Sequence, residues 1–190
     1  MVYELAEHII DHILALPDTV GECDYLDYEP RYKNGYYLSY KDENKGVLYK
    51  NGREYKYTGI NDKKGNHLYV RFRGEEEINW TTITMSTSCA STAQGVVNLR
   101  LISAIENYEQ TTGREKYDVE LYLRNALLTV DWSTYSGRES NIMLSIERSQ
   151  INNMDILAEE GVPEGRQHSL RWILTAIDFS VTFKVPAVWK

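Results

Sequence analysis

Cysteine is almost missing from this chain. Only Cys23 and Cys89 occur, far apart and in no C-x-x-C arrangement. That excludes a disulfide framework and a paired-thiol metal site, and reads as free thiols in a reducing compartment. Lys and Arg clusters are missing too; the nearest approach is Lys63-Lys64, in a turn beside Asp62. A general grip on nucleic acid needs clustered cations to displace counterions from phosphates, so that class is excluded. No apolar run approaches the roughly 18 residues needed to cross a bilayer. The first 16 residues carry Glu4, Glu7, His8, Asp11 and His12, which does not fit a secretory leader. Phenylalanine is scarce, 3 residues against 15 tyrosines.

What is present suits one folded domain over residues 1–190, with 42% hydrophobic and 26% charged residues. A chain of this length buries roughly two-thirds of its unfolded surface without staples. The formal net charge is −7. Such a surface keeps a protein soluble, and it repels DNA that must pass without sticking. Tyrosine suits half-buried places, because its ring packs while its hydroxyl stays hydrated.

Along the chain, residues 2–16 have helical spacing, with Leu5, Ile9, Ile13 and Leu16 on one face and Pro17 as the stop. Residues 18–35 read as a loop, punctuated by Gly21, Pro30, Asn34 and Gly35. Residues 36–73 read as a projecting antiparallel meander. Its clearest hairpin joins Val47–Lys50 to Arg53–Tyr57 through Asn51-Gly52. Residues 78–86 predict a further strand. Residues 93–110, with Val97, Leu101, Ala104, Ile105 and Tyr108 on one stripe, predict a helix capped by Ser91 or Thr92. A second helix is predicted over about 116–128, with Tyr117, Leu121, Ala126, Leu127 and Leu128 as its apolar residues. Residues 141–148 alternate as a strand. The strongest signal is the last one: Ile173, Ile177, Phe179, Val181, Phe183 and Val185 share one parity, Asp178, Ser180, Thr182 and Lys184 the other, with Pro186 as terminator. One buried and one wet face imply an antiparallel sheet. The expected class is therefore α+β, an antiparallel sheet packed by an N-terminal helix and a central helical pair, with a projecting hairpin.

Candidate chemistry is thin. His8 and His12, four apart with Asp11 between, have the spacing of helical zinc ligands but no evident third ligand, and they flank the apolar face. The Ser86-Thr87-Ser88-Cys89 cluster lacks a nucleophile elbow, and nothing ties His168 to an acid or nucleophile. Glu75-Glu76-Glu77 splays its carboxylates to opposite faces, and Asp24, Asp27 and Glu29 do not match a calcium loop. A hydrolase would need two carboxylates joined from separate segments, such as Glu77 and Asp131. The expectation is no catalytic residue, no metal and no cofactor.

The remaining feature is stickiness. Tyr25, Tyr28, Tyr32, Tyr36, Tyr37 and Tyr40 crowd an acidic loop and its next strand, followed by the Asn51-Gly52 hairpin tip. These residues are the candidate interface between copies of the chain. The alternative is a Tyr-rich platform that stacks on carbohydrate or binds a peptide.

Two segments, "QGVVNLRLISAIENYE" and "LRWILTAIDFSVTFKVPAVWK", together with the order of elements, resemble the ring-forming neck and tail-terminator proteins of tailed bacteriophages, the crAss-like phages among them. The resemblance spans the whole chain and carries no catalytic residues. It implies a structural virion subunit, assembled in the host cytoplasm, forming a homo-oligomeric ring between portal and tail. Its partners would be sister copies, neighbouring portal, neck or tail proteins, and DNA passing through the lumen unbound, with no membrane. Contacts would be heterologous and close by rotation.

Overall fold

A computed structural model describes residues 2–16, 30–37, 47–51, 54–58, 66–73, 78–85, 91–106, 115–151 and 172–187. The elements are α1 (Val2–Ala15), β1 (Pro30–Tyr37), β2 (Val47–Asn51), β3 (Glu54–Thr58), β4 (Asn66–Phe72), β5 (Ile78–Met85), β6 (Ser91–Glu106), α2 (Lys116–Leu128), a 3-10 turn (Trp132–Thr134), β7 (Ser140–Ile151) and β8 (Trp172–Ala187). The strands form one sheet in the order β3-β2-β1-β4-β6-β8-β7, with β5 also paired to β6. The class is α+β, and strands β4 to β8 are antiparallel throughout.

The spine is the β6–β8 pair, in register from Ser91↔Ala187 to Glu106↔Trp172. Alternation in β8 builds it: Ile173, Ile177, Phe179, Val181 and Phe183 are all buried on one face. The strand runs through Pro186 to Ala187, so the proline sits inside the last turn of pairing and does not end it. On the partner strand, Ala93, Val97, Leu99 and Leu101 have the same buried parity. Residues 91–106 are therefore a strand, not the first helix of a pair, and among the described residues α2 is the single central helix. Val97, Leu101 and Ile105 fit a helical stripe as well as a strand face. Sixteen residues of pairing with β8 decide between the two.

Gly95 marks the difference. A Cβ there would lie 3.0 Å from Ile78 Cγ2 and 3.0 Å from Phe183 Cε2 and Cζ. Trp80 packs edge-on to the same Phe183 ring, centroids 6.2 Å apart. In a helix interior, Gly→Ala stabilises by about 0.5–1 kcal/mol. Here the methyl overpacks a fully buried ring, so Gly95→Ala is expected to destabilise by about 1–3 kcal/mol. Urea unfolding reads the sign directly, and a gain in stability would contradict the strand.

Both helices lie on the face presented by the odd residues of β8. Leu5, Ile9 and Ile13 of α1 are fully buried, as are Val119, Leu123, Ala126 and Leu127 of α2, in one cluster with Val70, Leu99, Ile177 and Phe179. Each such aliphatic side chain contributes roughly 1.5–3 kcal/mol by leaving water. Tyr122 Oη donates to the carbonyl of Ile13 at 3.4 Å, serving the frayed end of α1. Of the apolar residues predicted for α2, Ala126 and Leu127 face the core, while Tyr117, Leu121 and Leu128 are exposed by 58%, 57% and 63%. Among the described residues, no helix is long and apolar enough to cross a membrane.

At the other end of the sheet, two readings need correction. Residues 30–35, read as loop, are the first part of strand β1, which Tyr36 and Tyr37 complete. β1 lies between β2 and β4, so neighbours on both sides satisfy its backbone, and two register shifts near Pro30, Tyr32 and Gly35 absorb its poor strand formers. The β1–β4 pairing is parallel, so residues 36–73 do not form a simple antiparallel meander. The β2–β3 hairpin exists, but it pairs Asn51 with Glu54 and Lys50 with Tyr55. An Asn51-Gly52 turn would instead pair Lys50 with Arg53, so the register differs from the one that signal indicates.

Candidate functional site

Three side-chain constellations stand out. The first crosses the sheet on the face away from the helices. Cross-strand register aligns Arg71 with Arg100, Arg100 with Asp178, and Asp178 with Arg148, on β4, β6, β8 and β7. Arg100 grips Asp178 with two bonds, Nε to Oδ1 at 2.6 Å and Nη2 to Oδ2 at 3.2 Å. Arg148 Nη2 reaches Oδ2 at 3.3 Å, and Arg73 Nε reaches it at 3.4 Å. Arg73 also pairs with Glu147 of β7. The centre is dry and the rim wet: side-chain exposure is 6% for Arg100 and 3% for Asp178, against 37% for Arg73 and 53% for Arg148.

Burial by itself pushes the Asp178 carboxyl up, but hydrogen bonding and charge from Arg100, then the charges of Arg73 and Arg148, outweigh it and hold the group below the ordinary carboxylate range. A carboxylate held so firmly ionised is a poor proton acceptor near neutral pH. The row is thus an ionic clamp across four strands. Sequence alternation placed Asp178 on the wet face; it is buried, because Leu174 and Ala176 of the same parity are buried with it. The available signal was local. Leu174 and Ala176, which precede Asp178 on its own face of the strand, are apolar, as is Ile102 beyond Arg100.

The second constellation is the corner where α1 meets the end of α2. Thr129 Oγ1 donates to Asn125 O at 2.9 Å and accepts from His12 Nε2 at 3.4 Å. His8 Nε2 donates to the carbonyl of Asp131 at 2.9 Å. The His8 ring sits 5.3 Å from both Trp132 and Tyr135. Tyr135 Oη donates to Glu139 Oε2 at 2.7 Å, and burial, then that carboxylate, raises its pKa far above the ordinary phenol value. Asp131 caps the 3-10 turn, accepting from Ser133 N at 2.9 Å and Ser133 Oγ at 2.6 Å. The histidine spacing on α1 therefore docks one helix against another. Among the described residues, no group of three or more His, Cys, Asp or Glu side chains is placed to hold a metal ion.

This corner carries a pH dependence. Burial, then the charge of His8, lowers the pKa of His12, with Asp131 opposing. The folded protein thus prefers the neutral imidazole more than the unfolded chain does. The stabilisation is present above the unfolded value of about 6.5 and is lost as pH falls below it. Because the ring is only partly buried, the effect is small. Between pH 7.5 and 5, the melting temperature of the wild type is expected to fall by about 1–2 °C more than that of His12→Gln. Parallel pH profiles for the two proteins would refute this assignment.

The third is the surface expected to bind sister copies. Tyr32, Tyr36 and Tyr37 lie in β1, an interior strand; Tyr36 is opposite Leu48 on one side and Val70 on the other. Asn51 closes β2 opposite Glu54. Tyr25, Tyr28, Tyr40 and Gly52 lie outside the described residues, as do Asp24, Asp27, Glu29, Glu75, Glu76, Glu77, Ser86, Ser88, Cys23, Cys89 and His168. What sequence reading missed is a different set of exposed apolar side chains: Leu121 and Leu128 on α2, Met143 on β7 at 70% exposure, and Trp80 on β5 at 49%. β7 is a sheet edge, paired with β8 and with no other described strand. Comparison with protein-family models and with curated proteins finds no match for the chain.

Proposed function

We propose that this protein is a structural subunit that assembles with copies of itself into a ring, as a component of the neck or tail-terminator region of a tailed phage particle. The observation that carries the assembly reading is the β7 edge with its neighbouring helix. β7 is twelve residues long and contains no Lys, Pro or Gly. Folded chains usually blunt such an edge with those residues, because its free backbone groups recruit another strand. Its two charged residues, Glu147 and Arg148, are paired with Arg73 and Asp178 at the rim of the clamp. Met143 on the open face of this strand, and Leu121 and Leu128 on the helix packed against its other face, are exposed. β3 is the opposite edge, so the two ends of the sheet are unlike. Contact between unlike patches is heterologous and generates a closed ring when the rotation returns to its start.

The net charge of −7 supports the rest of the reading. A negative lumen repels the phosphate backbone and lets DNA pass without a hold on it. The phage assignment itself rests on the sequence resemblance. Native mass spectrometry of the purified protein tests the ring. A multi-subunit species is expected, reduced to monomer by Met143→Lys or Leu121→Lys. These are surface changes, so stability should move by no more than about 0.5 kcal/mol. A wild type that stays monomeric at high concentration and with neck or portal proteins added would sink the proposal.

A further inference from the structure

We draw no further inference here: the strongest candidate, the arginine row across β4, β6, β8 and β7, spends the guanidinium groups of Arg73, Arg100 and Arg148 on Asp178 and Glu147 within the fold, and nothing among the described residues marks a ligand there.

Discussion

Asp178→Ala is expected to cost about 3–5 kcal/mol of folding stability, the range for breaking a buried ion pair from one side. The loss follows from what remains. Arg148 and Arg73 stand at the rim and can turn to water when the carboxylate is gone. Arg100 cannot, with only 6% of its side chain exposed. Its guanidinium would stay in a dry site without the two bonds that now hold it at 2.6 and 3.2 Å. For a chain of this size the melting temperature should drop by roughly 6–20 °C. The paired variant Arg100→Met/Asp178→Leu removes the buried charge along with its partner. Such exchanges are often neutral or better, so it should recover most of the loss. The clamp also predicts an acid limb. The folded-state pKa of Asp178 lies below its ordinary value of 3.8. Its contribution is complete above that value and is lost as pH falls beneath it. Urea titrations of the three proteins at pH 7, and of the wild type down to pH 3, measure each part. An Asp178→Ala protein within about 0.5 kcal/mol of wild type, the scale of an ordinary surface change, would show that the clamp is not buried.

The sequence disclosed most where one periodicity stood alone. β8 alternates from Ile177 to Val185, and α1 has a single apolar stripe, so both were legible. β7 was legible too: Ile142, Leu144 and Ile146 pack against the core as their spacing implied. Residues 91–106 were misread because their apolar residues satisfy both periods, and only the distant partner strand resolves the ambiguity. Gly95, a poor helix former near the start of the segment, was a local hint. The first part of β1 was missed because Pro30, Asn34 and Gly35 are poor strand formers; tertiary pairing on two sides overrides that preference. The parallel β1–β4 contact has no local signature at all. The clamp was invisible for a related reason. Arg100 and Asp178 are 78 residues apart and meet only through register. His8 and His12 were visible as a pair, but their acceptors at Thr129 and Asp131 come from a segment more than a hundred residues away.

The second large effect is expected at Ile9. This side chain is fully buried between Leu5 and Ile13 on the stripe that seats α1 against the sheet and α2. Cutting it to alanine removes its transfer free energy and leaves a cavity, together about 2–5 kcal/mol. Alanine's better helix propensity returns only a few tenths of that. A value near 3 kcal/mol, or about 6–12 °C in melting temperature, is the expected outcome. Leu121 supplies the contrast, since it is an aliphatic residue on a helix but 57% exposed. Leu121→Ala removes similar surface from the other side of α2 and should leave the stability of the isolated chain within about 0.5 kcal/mol. Association should respond in the opposite way. Ile9→Ala leaves the proposed contact surface of β7 and α2 intact, whereas Leu121→Lys puts a hydrated charge into it. Thermal unfolding in dilute solution and native mass spectrometry at high concentration read the two properties separately. If Leu121→Ala destabilised the dilute monomer as much as Ile9→Ala, the outer face of α2 would belong to the core, and its side chains could not serve a neighbour.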